Sequence, residues 1–320
     1  MRVDSFRPPY ERFWTEMSRY TLFTGVGTAL VTPFDDSGHI DFDALSKLID
    51  RQIDGGADAL IMTGTTGEAP VLSADEKKEM WRFARARIDG GKRKIKLIAG
   101  SGGNNTETAA ALSHEAELAG ADGLLIVTPY YNKSSQDGLC EHYRRIAGAT
   151  SLPIIVYTVP SRTGVNITPA AWREIAAIPN VIGVKDATGD LRHTARLAAS
   201  LGDETHPDAL AIYSGDDELT LPVLSYGGCG VISVVSNIIP GDMHELCRLF
   251  FEGKNDAALR LWRRINDLTA AMFCDVNPIP VKAALSEMGL CKPYLRLPLI
   301  PLAEEKKNSV INALRTAGVL

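Results

Sequence analysis

Eight short apolar runs recur along the chain, and longer segments with apolar residues every third or fourth position lie between them. The runs are Gly25–Val31, Ala59–Met62, Ile95–Ala99, Gly123–Val127, Pro153–Tyr157, Val181–Lys185, Leu210–Tyr213 and Gly230–Val234. A strand reads as a continuous apolar run only when both of its faces are buried, as in a parallel sheet. Parallel neighbours need a crossover, and a helix is the usual one. The intervening segments supply it: Phe42–Ile53 repeats Leu45, Leu48 and Ile49, and Thr106–Ala119 repeats Ala109, Leu112 and Ala116. Eight units at a spacing of roughly 30 residues predict a closed (β/α)8 barrel. The competing open, doubly wound sheet is disfavoured because VTPFDDSG, and no G-x-G-x-x-G, follows the first run.

The strand signal stops after about residue 252. Asn255–Phe273, Pro280–Met288 and Ala303–Ala317 read as helices, so residues 253–320 are expected to be a small C-terminal helical domain on a barrel of residues 21–252. Residues 1–20 form an extension without a core pattern.

Composition removes several function classes. A net charge of −5 over 320 residues leaves no basic footprint for nucleic acid or an anionic membrane. No apolar run approaches the length of a membrane span, and the N-terminus lacks the apolar core of a signal peptide, so a cytoplasmic location is expected. The five cysteines are widely spaced without CxxC, and the six histidines show no ligand spacing; free thiols and no metal are expected.

In such a barrel, chemistry gathers where strands end and the following loops begin. Three strand ends carry it. Lys185 closes Val181–Val184; a lysine there is partly desolvated, which favours the neutral amine that can add to a carbonyl and form an imine electron sink. A lysine that reaches solvent or pairs with Asp186 would look the same in sequence. Tyr157 ends the fifth run, where a phenol can pass a proton, or can simply be a rim aromatic bonded to backbone. Arg162, five residues on, offers a planar fork for a carboxylate, or is an exposed loop charge. Gly64-Thr65-Thr66-Gly67-Glu68 combines close backbone approach with N–H and hydroxyl donors that suit a carboxylate, and could equally be a tight capped turn. Asp216 and Asp217 read best as helix caps, and Gly227–Gly230 as close backbone packing.

Six segments in order resemble the dihydrodipicolinate synthase / N-acetylneuraminate lyase family of pyruvate-dependent aldolases. They are GTTGE at 64–68, TPYYN at 128–132, Y-x-V-P-S-R-T-G at 157–164, IGVKDATG at 182–189, SGDD at 214–217 and NPIPVK at 277–282. The resemblance runs from about Phe23 to the C-terminus. It implies that Lys185 is the Schiff-base lysine, that Tyr157, Thr65 and Tyr131 relay protons, and that the Gly64–Thr66 turn, including Thr66, holds the pyruvate carboxylate. It also implies that Gly215 and the Ile232 carbonyl line the pocket. In the family the second tyrosine of the YY pair enters the neighbouring subunit's site, so a homodimer is the expected minimum and a homotetramer the usual form. No metal, flavin or nicotinamide is implied.

Ser161-Arg162-Thr163-Gly164 and NPIPVK match the synthase branch, whose arginine takes the carboxylate of L-aspartate 4-semialdehyde on the route to diaminopimelate and lysine. A sugar-acid aldolase or sialic-acid-type lyase using the same lysine, and a non-catalytic keto-acid sensor, are the other readings. Thr158 departs from a frequent asparagine. Tyr130 and Asn104 fit the family's lysine-responsive pocket, but Ala69, Ala74 and Thr108 replace polar or acidic groups and Lys77 a frequent histidine. Weak or absent inhibition by lysine is the expectation.

Overall fold

The computed structural model describes residues 21–202 and 209–320, so the extension 1–20 lies outside the described residues. Each apolar run becomes a strand: β1 Gly25–Ala29, β2 Ala59–Met62, β3 Lys96–Gly100, β4 Gly123–Val127, β5 Ile154–Thr158, β6 Val181–Asp186, β7 Ala211–Ser214 and β8 Gly230–Ser233. They pair in parallel in chain order, and β1 pairs with β8 to close the barrel.

The alternation hidden inside the apolar runs explains their length. In β2, Ala59 and Ile61 point inward and meet Ile98, Leu125, Ile155, Tyr213 and Ile232, while Leu60 and Met62 join the outer layer beneath the helices. Side chains thus fill the barrel interior, and both faces of the strands are largely apolar. At the closing seam, a Cβ on Gly230 would lie 2.0 Å from the Gly25 carbonyl oxygen, so the glycine-rich segment does serve close backbone approach.

The helices follow their expected bounds within one or two residues. Phe42–Asp54 buries Ala44, Leu45, Leu48, Ile49 and Ile53 on one face, and its N-terminus is capped by Asp41, whose carboxylate accepts from the Ala44 N–H at 2.9 Å. Such a cap contributes about 1 kcal/mol. Beyond the barrel, helices Asn255–Ala271, Ile279–Glu287 and Glu304–Thr316 contribute Leu268, Val281 and Leu314 to the same apolar cluster as the barrel's outer layer. Cys140, Cys247, Cys274 and Cys291 are free thiols. No helix among the described residues is long and apolar enough to cross a membrane.

One buried group makes the fold acid-sensitive. His142, on helix Gln136–Ala147, is buried with Nδ1 at 2.9 Å from the Thr106 hydroxyl, and its Nε2 has no hydrogen-bond partner among the described residues. Burial lowers its pKa from 6.5 to about 4. Between those values the unfolded chain binds the proton and the folded chain does not, so stability is full above pH 6.5 and falls as pH drops toward 4. The loss should reach about 3 kcal/mol. Urea unfolding at pH 7 and pH 4 should show that His142→Gln removes this share of the pH dependence; an unchanged profile would exclude His142 as its source.

Candidate active site

Strand register brings the first two candidates together. Tyr157 on β5 is paired with Lys185 on β6, and Lys185 with Tyr213 on β7, so the three side chains share one inward-facing layer. Lys185 is buried, with Nζ 4.4 Å from the centroid of the Tyr157 ring. Asp186 points the opposite way: its carboxylate accepts from the Thr188 N–H at 3.0 Å and the Thr194 hydroxyl at 2.7 Å. The strand-end pairing of Lys185 with Asp186 is therefore absent, and the amine is held inside the barrel.

The tyrosine hydroxyls separate structural from available groups. Tyr143 donates to the Ile126 carbonyl at 3.2 Å, and Tyr213 donates to the Phe23 carbonyl at 2.7 Å. Among the described residues the Tyr157 hydroxyl has no such partner, and its ring lines a cavity of about 360 Å³. Thr65, Leu125, Val127 and Arg162 line the same space.

The Gly64–Glu68 turn is bracketed by two non-glycine residues in the left-handed region, Thr63 at φ 56° and Glu68 at φ 55°. A β-branched residue there is strained and persists only when its surroundings hold it. The Thr63 hydroxyl donates to the Gly100 carbonyl at 3.0 Å and accepts from the Trp81 indole at 2.9 Å. Within the turn, the Gly64 and Thr65 carbonyls accept from Gly67, Glu68 and Ala69. The N–H groups of Thr65 and Thr66 donate to no protein acceptor among the described residues. Two unengaged donors on consecutive residues make an anion-binding concavity.

Three contacts from the C-terminal segment brace this turn. The Asn277 side-chain amide donates to the Thr66 hydroxyl at 2.9 Å, and its backbone carbonyl accepts from Arg162 at 3.3 Å. Lys282 donates to Glu68 Oε1 at 2.6 Å with both side chains almost wholly buried. The Arg296 N–H donates to Glu68 Oε2 at 3.1 Å. Burial holds the Lys282 ammonium below its ordinary pKa, with Glu68 pulling the other way. Both charges lie inside motifs noted in the sequence, but their pairing across more than 200 residues was not read from it.

The remaining candidates divide. Arg162, on the single helical turn Pro160–Thr163, is exposed, lines the cavity and is paired with no carboxylate among the described residues. The Gly215 N–H donates to the Asp186 carbonyl at 2.7 Å, and a Cβ there would meet Ala187 at 2.6 Å, which ties this glycine to backbone packing beside β6. Ile232 is buried in the inner layer. Asp217 does not cap the helix that follows it: its carboxylate accepts from the Val234 and Val235 N–H groups at 2.9 and 3.0 Å, tying the end of β7 to the end of β8. Tyr131 is not brought to Lys185 within one chain: it is 90% exposed, at φ 70°. Ala69, Lys77, Asn104, Thr108 and Tyr130 line the same cavity, and burial lowers the Lys77 pKa. No group of three or more potential ligands among the described residues is arranged to hold a metal.

Comparison with known proteins gives the chain's relatives. The model of the dihydrodipicolinate synthetase family matches residues 22–317. The 4-hydroxy-tetrahydrodipicolinate synthase of Thermotoga neapolitana is 46% identical, over 93% of this chain and all of that protein. The crystal structure of dihydrodipicolinate synthase from Thermotoga maritima superposes with a TM-score of 0.89 at 43% identity, covering 94% of this chain and 100% of that one. The chloride-inhibited synthase from Acinetobacter baumannii, complexed with pyruvate, gives a TM-score of 0.88 at 42% identity, with 93% and 100% covered.

Proposed function

This chain belongs to the dihydrodipicolinate synthetase family, and we propose that it condenses pyruvate with L-aspartate 4-semialdehyde to give 4-hydroxy-tetrahydrodipicolinate, as a lyase of lysine biosynthesis in the cytoplasm. The observation that carries this reading is the unpaired Lys185 amine, buried inside the barrel over the ring of a tyrosine whose hydroxyl is free.

The Lys185 nitrogen adds to C2 of pyruvate, and the C2 oxygen leaves as water with a proton passed by Tyr157. The imine draws electrons from C3, whose methyl loses a proton to give the enamine. Enamine C3 then bonds to the aldehyde carbon, and the aldehyde oxygen becomes a hydroxyl. Finally the substrate's own amine attacks C2, the ring closes, and the Lys185 amine leaves. Thr65 and Thr66 hold the pyruvate carboxylate through their free N–H groups, and Arg162 holds that of the semialdehyde through its unpaired guanidinium. Gly215 and Ile232 shape the wall beside Lys185.

Tyr131 relays the proton onward in this reading. Its exposure in a single chain fits a side chain that completes the site of a second copy, with a homodimer as the minimum and a homotetramer as the working form. Residues 253–320 act as a C-terminal helical unit whose Asn277 and Lys282 brace the turn from outside the barrel.

A coupled assay with both substrates tests the function: turnover is expected, with no cleavage of sialic acid or keto-deoxygluconate, and the reverse pattern would overturn the synthase assignment. Lysine should inhibit weakly or not at all. The pocket offers its ammonium Thr108 in place of a carboxylate, and Lys77 lines the same wall. An inhibition constant well below millimolar would refute this.

A further inference from the structure

The Glu68–Lys282 ion pair has no part in the reaction as drawn, yet it sits directly behind the turn that receives the keto acid. Glu68 ends that turn in the left-handed region, and its N–H closes it on the Thr65 carbonyl at 3.1 Å. Its carboxylate is fully occupied on the far side, by Lys282 at 2.6 Å and the Arg296 N–H at 3.1 Å. Lys282 and Arg296 in turn lie over the ring of Phe34, at 4.3 and 4.5 Å from its centroid. A buried ion pair is often no more stabilising than apolar side chains of the same volume, so stability alone does not account for charges here. What the pair does provide is direction: a two-oxygen acceptor fixed by two donors allows Glu68 one orientation, and through it one orientation of Thr65 and Thr66.

We propose that Glu68 and Lys282 are positioning residues for keto-acid binding, their buried ion pair holding the free N–H groups of Thr65 and Thr66 in the geometry that receives the pyruvate carboxylate. The inference rests on the reading of that turn given above.

The test compares the full chain with Glu68→Gln, Lys282→Met and the double variant, which leaves no unpaired charge. Borohydride trapping over a range of pyruvate concentrations, read by intact mass, gives half-saturation directly; steady-state assays give kcat and the KM of each substrate. The double variant should fold and need about 10-fold more pyruvate for half-maximal trapping, with kcat and the semialdehyde KM changed by less than about 3-fold. A folded double variant within about 2-fold of the parent in pyruvate half-saturation overturns the proposal. So does a parallel fall in kcat and in affinity for both substrates, which is the mark of a general structural role. Single variants that fail to fold leave the decision to the double variant, and a double variant that also fails to fold counts against the proposal. A parent chain that traps no pyruvate removes the Lys185 assignment itself, which keeps that failure separate from this one.

Discussion

Lys185→Ala should lower turnover by about 10⁴-fold or more and abolish the adduct left by pyruvate and borohydride. The size of the effect follows from what surrounds the amine. Its neighbours in the inward-facing layer are Tyr157 and Tyr213, and the Tyr213 hydroxyl is already committed to the Phe23 carbonyl. Among the described residues no second amine shares that layer, so none can take over formation of the imine. The fold should survive, since Lys185 makes no ion pair among the described residues and an alanine leaves only an apolar gap. Intact mass after reduction, with peptide mapping of the parent chain, gives the measurement. An adduct on another lysine, or a variant that retains activity within about 10-fold, would end the mechanism proposed here.

Tyr157→Phe should have the next largest effect, a fall in kcat of about 10²–10⁴-fold, the range for loss of a positioned proton-transfer group. The ring remains, so the packing under Lys185 and in the inner layer is kept; only the hydroxyl goes. The pyruvate KM should therefore change little, and the loss should fall on the rate of adduct formation in single-turnover trapping. A variant that traps pyruvate at the parent rate would show that the phenol serves no step up to the imine.

The barrel was legible because it writes itself into the sequence twice. A strand buried on both faces becomes an unbroken apolar run, and the helix that returns the chain shows its three- and four-residue spacing. Lys185, Tyr157, Thr65, Thr66 and Arg162 stood out as candidates for a related reason: each is a polar residue at or just after the end of such a run. What sequence could not supply was pairing. The runs do not say that Ile61 faces inward and Leu60 outward until strand register is known. Nor does GTTGE say that its glutamate meets the lysine of NPIPVK, although two opposite charges set among apolar and small residues were a signal that each needed a partner. Tyr131 shows a different limit, since one chain places it in solvent and the role proposed for it needs a second.

The braces on the Thr65–Glu68 turn come from far down the chain: Asn277, Lys282 and Arg296 lie 211, 214 and 228 residues beyond their partners. During synthesis, all eight strands are made before any of these residues. A nascent chain therefore carries Lys185 and the Thr65–Glu68 turn before the residues that brace the turn exist. The turn is fixed last, by residues 277–296, so a truncation after β8 would remove its braces together with part of the apolar cluster that covers the barrel.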